Sequence, residues 1–246
     1  MTIRIAMWSG PRNISTAMMR SFGARPDMSV SDEPFYGAFL KASGEAQPLA
    51  AETMAAMDCD FESVRDALCG PAPGGLPVWY QKHMPHHMIG DVGIEDFPDH
   101  RHAFLIRAPE RVVASYAAKN DLRAPELLGY AKMRRYFEHE RQRLGKAPPV
   151  IDADAVLANP ASILSALCAA LGIDWMPAML GWTRGPHAED GIWGRHWYEK
   201  VNASTGFGPA PGPLPDLRGE AARIAAACQA DYEALKAFAI SQKSDG

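Results

Sequence analysis

Apolar positions along the chain fall into short runs separated by stretches of helical spacing. Residues 3–8 (IRIAMW) make a run too brief for a helix and rich in strand formers. Ser9, Gly10 and Pro11 break it, and Asn13 or Ser15 is placed to cap the next element. From Thr16 the spacing turns helical, with Ala17, Met18, Met19 and Phe22 on an apolar face and Arg20 facing water. Further apolar runs predict strands at 27–31, 76–81, 101–107 and 149–151. Helical spacing marks 61–68, then a helix opened by Pro109 with Val112, Val113 and Tyr116 apolar. It returns in a long charged helix over 126–144 and in one carrying Ile163, Leu164, Leu167 and Leu171. Strands alternating with helices predict an α/β fold: a mostly parallel central sheet of about five strands with helices on both faces.

Beyond residue 173 the pattern weakens. Trp175, Trp182, Trp193, Trp197 and Tyr198 crowd into a short span, read first as core and second as a lid. The stretch GFGPAPGPLP after them is too rich in proline and glycine for a regular element. About 174–217 is therefore read as irregular, and about 218–241 as a closing helix with Ala222, Ile224, Ala225, Cys228, Tyr232, Leu235 and Phe238 apolar. No break in composition divides the chain, so a single domain over 1–246 is expected.

Composition narrows the function classes. With 47% hydrophobic and 22% charged residues the chain is an ordinary globular sequence, and a net charge of −4 argues against a general nucleic-acid partner. Cys59, Cys69, Cys168 and Cys228 form no C-x-x-C pair and read as reduced interior thiols. The first apolar run ends too soon for a signal peptide, and no apolar stretch approaches the ~20 residues of a membrane span. A cytoplasmic, non-membrane protein is expected.

Chemistry gathers at the ends of the predicted strands. A strand, a tight loop and a helix start collect backbone N–H groups at the positive end of a helix dipole, which favours an anion. Arg12 adds a planar cation, and Ser15 and Thr16 add hydroxyls. The plainer alternative is an ordinary strand–helix connection with a solvated arginine. The loop is no Walker A sequence, because Ile14 stands where that motif needs lysine. Glu33 follows the second strand, where an open α/β sheet tends to place its site. Arg107 ends the fourth strand and Ser115 lies in the helix after it, a spacing that lets both reach one phosphate. Lys82, His83, His86 and His87 follow the third strand, but without a carboxylate or thiol at ligand spacing the histidines predict no metal site.

The segment PRNIST resembles the 5′-phosphosulfate loop of the sulfotransferase superfamily, usually P-R/K-S-G-T-T. Pro11, Arg12, Ser15 and Thr16 fit it, while Asn13 and Ile14 depart. Glycine at the Ile14 position would allow positive φ and close backbone approach, and a β-branched residue resists both. The segment LIRAPERVVASY is similar to the family stretch in which an arginine and a serine eight residues on grip the donor's 3′-phosphate. VIDADAVLANP is similar to the family's architectural stretch after the last strand, and Asp152 there is no Walker B residue without a Walker lysine.

The resemblance implies a P-loop NTPase-like three-layer fold and the donor PAPS, with PAP as product and no metal. It implies a small-molecule acceptor carrying a hydroxyl or amine. Arg12, Asn13, Ile14, Ser15 and Thr16 would hold the 5′-phosphosulfate, and Arg107 and Ser115 the 3′-phosphate. Two bases are implied by different branches. Glu33 matches the tyrosylprotein branch, and His83 matches the K-T-H-L-P segment of the cytosolic small-molecule branch, where Gln81 and Lys82 replace Lys and Thr. Glu33 is preferred because it keeps the spacing to the loop. Lys82 would then offset charge on the bridging oxygen. An R-K-G-type segment against the 3′-phosphate is missing, with Ser204 to Gly206 as a weak substitute. That gap and Ile14 favour the alternative of a non-catalytic nucleotide-binding protein. An ATP-dependent, kinase-like phosphotransferase is opposed by the missing Gly-Lys-Ser/Thr.

Overall fold

The computed structural model describes residues 2–118 and 122–241. Five strands, β1 (Ile3–Ser9), β2 (Met28–Asp32), β3 (Val78–His83), β4 (Arg101–Ile106) and β5 (Val150–Asp152), form one sheet in the order β2-β3-β1-β4-β5. The β2–β3 and β4–β5 pairs are parallel, with Asp32 opposite Lys82 and Ile106 opposite Asp152. The chain is thus α/β with a mostly parallel sheet. Ile5 to Trp8 are fully buried, as the unbroken apolar run of an inner parallel strand requires.

Eleven α-helices are described. They are α1 (Ser15–Gly23), α2 (Tyr36–Ser43), α3 (Ala50–Ala56), α4 (Phe61–Cys69), α5 (Pro109–Ala117), α6 (Tyr130–Leu144), α7 (Ala153–Ala158), α8 (Pro160–Leu171), α9 (Gly194–Trp197), α10 (Glu199–Asn202) and α11 (Gly219–Lys236). Packing groups the chain into two compact units. The first takes Met1–Met7, Thr16–Arg101 and Ala178–Phe207; the second takes Trp8–Ser15, His102–Pro177 and Gly208–Gly246.

Within the first unit, Tyr36, Phe39 and Leu40 of α2 pack with Trp193 and Tyr198. The segment after residue 177 is tied down by an antiparallel bridge between Gly181 and Gly206 and by the Ser21 hydroxyl, which donates to the Met179 carbonyl at 2.6 Å. Arg20 does not face water. It is 3% exposed, and its guanidinium meets Asp190 at 2.6 Å and Asn202 at 3.1 Å. Its helical position suggests a solvent-facing side chain only because the segment that covers it lies about 170 residues away.

Within the second unit, α11 packs on α5 and α6. Asp152 accepts from the Asp154 N–H at the start of α7 and from the Tyr232 hydroxyl at 2.8 Å, a structural role for a strand-end acid. Asn159 caps α8 by accepting from the Ser162 N–H.

Several boundaries differ from the sequence reading. β3 runs on through Lys82 and His83, both fully buried, two residues past the strand expected over 76–81. The charged helix expected over 126–144 is broken at Gly129 (φ 75°), leaving a 3₁₀ turn, Pro125–Leu128, ahead of α6. Asn13 does not cap α1, since its Oδ1 makes no hydrogen bond among the described residues. Of the four free cysteines only Cys168 and Cys228 are interior; Cys59 is half-buried and Cys69 exposed. Helix α11 stops at Lys236, and Phe238 beyond it is 40% exposed.

Candidate active site

The loop between β1 and α1 belongs to the second unit through Ser15. Arg12 adopts φ 58°, a left-handed conformation rare for a residue with a side chain. The turn places the Arg12 carbonyl where Arg107 Nη1 donates to it at 2.9 Å, while Arg12 Nε donates to Ser115 Oγ at 3.0 Å. Asn13 Nδ2 donates to the Leu105 carbonyl at 2.7 Å and so anchors the loop to β4. The Arg107 carbonyl in turn accepts from the Tyr130 hydroxyl at 2.6 Å. Gly10 is required by space, because a β-carbon there would lie 2.5 Å from the Leu128 carbonyl oxygen. Ser15, buried, opens α1, and Ile14 is half-buried beside it.

Ile14 is absent from the positive-φ residues, so the left-handed turn expected there falls two positions earlier, where its side chain offers no obstacle. Burial lowers the pKa of Arg12, and burial likewise lowers that of Arg107, with Asp154 opposing and Arg111 and Arg12 adding to the fall. Arg107 Nε is buried and makes no hydrogen bond among the described residues. Two crowded guanidiniums and an unused buried donor are what an anion with several oxygens would satisfy.

In the first unit, a second polar group is built on the ends of β2 and β3. Consecutive strand residues normally point to opposite faces. Glu33, with φ 45°, breaks that alternation, its N–H donating to the Lys82 carbonyl at 3.0 Å. Asp32 and Glu33 consequently converge on one ammonium. Lys82 Nζ donates to Asp32 Oδ1, Glu33 Oε1 and Tyr198 Oη, each at 2.7 Å, with Thr16 Oγ1 farther off at 3.3 Å. Tyr198 donates to Asp32 Oδ2 at 2.7 Å and accepts from Trp193 Nε1 at 3.1 Å; the Gly191 N–H also reaches Asp32 Oδ2. Burial alone would lower the Lys82 pKa, but the carboxylates of Asp32 and Glu33 more than offset it and hold the ammonium charged. Burial raises the Glu33 carboxyl, Lys82 pulling it down and Asp32 pushing it up.

The histidines divide. His83 packs against Phe35 and Phe97, tilted to both and 5.9 Å from each ring centre, and its Nε2 lies 3.3 Å from Gln81 Oε1. His87 stacks against the neighbouring rings of Tyr36 and Phe39, 4.7 and 4.9 Å from their centres, with its Nε2 4.0 Å from Glu33 Oε2. Burial, then the neighbouring His86 and Lys82, drop its pKa well below the usual range, so the ring is neutral. No group of three metal-ligating side chains is placed to hold an ion among the described residues. The Ser204 hydroxyl donates to the Val201 carbonyl, and the Thr205 carbonyl accepts from the Trp182 N–H, so that segment is spent on local structure.

A sequence profile described as "Sulfotransferase domain" matches residues 3–239. The chain belongs to the sulfotransferase family. Two Arabidopsis thaliana proteins, Branched-chain-amino-acid aminotransferase-like proteins 2 and 1, are each 36% identical over 204 residues, 82% of this chain. The chain spans about a third of their length, 36%. Among solved structures, the sulfotransferase domain of the Synechococcus PCC 7002 olefin synthase shares the fold at TM-score 0.55 and 16% identity, over 92% of this chain and 94% of that one. A sulfotransferase from Alicyclobacillus acidocaldarius does so at 0.53 and 14%, over 98% of each chain. The P-loop-like sulfotransferase fold is therefore the fold of this protein.

Of the residues singled out in the sequence, Arg12, Asn13, Arg107 and Ser115 meet in one group, while Thr16, Glu33 and Lys82 meet in the other. Sequence reasoning missed Asp32 altogether and took Tyr198 only as part of an aromatic cluster. The adjacent acids in DEP were a signal for Asp32; nothing in the sequence marks Tyr198 as the partner of a residue 166 positions earlier.

Proposed function

We propose that this sulfotransferase moves a sulfuryl group from PAPS to a hydroxyl or amine of a small-molecule acceptor. The observation that carries the reading is the Arg12–Arg107–Ser115 group, with its buried, unused Arg107 Nε on a loop that opens a helix. Arg12, Ser15, Thr16 and the backbone of Asn13 and Ile14 would hold the 5′-phosphosulfate, and Arg107 with Ser115 the 3′-phosphate. Bound there, PAPS supplies an activated sulfuryl group with PAP as the leaving group. Glu33 is the base: it removes the acceptor's proton, and the lone pair so freed forms the new bond to sulfur. Glu33 is preferred to His83 because its Oε2 makes no hydrogen bond among the described residues, whereas the His83 ring packs against Phe35 and Phe97. Lys82 has its three protons committed, so its role is to hold Glu33 and not to meet the departing oxygen.

The names of the plant relatives suggest amino-group transfer, whose lysine nucleophile must lose its proton. Lys82, the buried lysine of this site, is locked as an ammonium between two carboxylates, which opposes that chemistry. Free cysteines suit a cytoplasmic setting.

Calorimetric titration with PAP, beside magnesium–ATP, tests the donor. PAP is expected to bind without metal, and Arg107→Ala to weaken it about 10- to 100-fold, the ~1.5–3 kcal/mol of a charge-assisted contact. Absence of PAP binding, or binding of magnesium–ATP in its place, would overturn the reading.

A further inference from the structure

The group around Lys82 holds more than the proposed base needs. An ammonium has three protons, and here they meet two carboxylates and a phenol, each at 2.7 Å. The phenol closes a ring, because Tyr198 donates onward to the second oxygen of Asp32. Asp32 is fixed further by the Gly191 N–H at 3.1 Å, and Tyr198 by the Trp193 indole. Lys82 and Asp32 side chains are 1% exposed, whereas that of Glu33 is 10% exposed, so Glu33 alone of the three meets the outside. Glu33 touches Lys82 through Oε1 only.

We propose that Asp32 and Tyr198 are positioning residues for the transfer: they occupy two of the three ammonium protons of Lys82, so that Glu33 is held through Oε1 alone and keeps Oε2 for the acceptor's proton. The inference rests on Glu33 being the base. A lone Lys–Glu pair would be a closed, neutral unit, and the lysine would hold the carboxylate in its charged form and weaken it as a base. A lysine shared with Asp32 leaves one net negative charge on the group, available to neutralise a proton. In the step itself the proton passes from the acceptor O–H or N–H to Glu33 Oε2. The electron pair of that bond forms the bond to sulfur, and the electrons of the broken S–O bond leave with PAP. The groups facing Glu33 are Asp32 of β2, Lys82 of β3, His87 in the turn after β3, and Tyr198 between α9 and α10. Burial keeps His87 and Tyr198 neutral, so Lys82 and Asp32 set its charge.

The test is the titration midpoint of Glu33, followed by ¹³C NMR of the carboxyl carbon in the full chain and assigned through Glu33→Gln. In the wild type the midpoint is expected above the ordinary ~4.3 of glutamate. Asp32→Asn should lower it by about one to two pH units, Tyr198→Phe should lower it less, and Asp32→Glu should restore it. A wild-type midpoint at or below the ordinary value overturns the proposal whether or not the variants fold. So does a midpoint that neither Asp32→Asn nor Tyr198→Phe moves. Failure to bind PAP, with the Glu33 shifts intact, would sink the donor assignment and leave the positioning of Glu33 standing.

Discussion

Replacing Lys82 by methionine isolates the energetics of the buried charge group. The substitution keeps length and apolar bulk and removes a cation that lies 2.7 Å from Asp32, Glu33 and Tyr198. Both carboxylates are then left buried with their counter-charge gone, a change that typically destabilises by ~3–5 kcal/mol. At ~2–4 °C per kcal/mol for a chain of this size, the melting temperature should fall by roughly 6–20 °C. The pH dependence has a definite sign. Without Lys82, burial and Asp32 raise the Glu33 carboxyl further above its unfolded value. A carboxyl raised on folding supports the fold below its unfolded pKa, and that support is lost as pH rises through the folded value. The deficit of Lys82→Met should therefore be smallest near pH 5 and largest near pH 8. In the wild type, Lys82 is itself raised on folding, so its contribution holds throughout this window and is lost only in alkali. Scanning calorimetry of both proteins at the two pH values is the assay. Adding Glu33→Gln to the variant should recover part of the loss. A fall under ~2 °C, or an equal fall at both pH values, would refute a buried, charge-balanced group.

Gly10→Ala should displace the loop from the Leu128 carbonyl and weaken PAP binding with a stability loss of ~1–3 kcal/mol; unchanged calorimetry would contradict the contact. At Arg12 glycine should prove more stable than alanine, by ~1 kcal/mol, because φ is 58°, while both variants lose PAP binding to a similar extent; denaturant titration decides the order. Asn159→Ala removes the cap of α8 and should lower stability by ~0.5–2 kcal/mol with PAP affinity unchanged. Arg20→Met leaves Asp190 without its cation and should lower the melting temperature by several degrees, with limited proteolysis reporting cuts between residues 181 and 206.

The sheet was legible because inner parallel strands are continuous apolar runs, as Ile5 to Trp8 and Ala103 to Ile106 are. The loop and the Arg107–Ser115 spacing were legible because those residues are close in sequence or belong to a motif long enough to be distinctive. What failed was reading burial from residue type. Lys82 and His83 extend β3 into the interior because each has a partner there, and a lysine with two carboxylates is as buried as a leucine. Arg20 failed for the same reason, since Asp190 and Asn202 lie far along the chain. The backbone also moved the expected glycine-like turn from Ile14 to Arg12, which no residue-by-residue match to PRNIST could show. The span 174–217 was irregular in sequence because its fixed points, such as Gly181 with Gly206 and Tyr198 with Asp32, are single long-range bonds without periodicity.

The ring formed by Asp32, Lys82 and Tyr198 also sets a clock on synthesis. Asp32 and Tyr198 are 166 residues apart, and Lys82 follows Asp32 by 50. At ~5–20 residues per second on the ribosome, the lysine is made roughly 3–10 s after the aspartate, and the tyrosine roughly 8–33 s after it. For most of that interval the two acids can bind the ammonium without the phenol that orders them. The buried charge group is consequently among the last things its folding completes, and a ribosome stalled before Tyr198 holds a chain with most of its sheet made and that group unfinished.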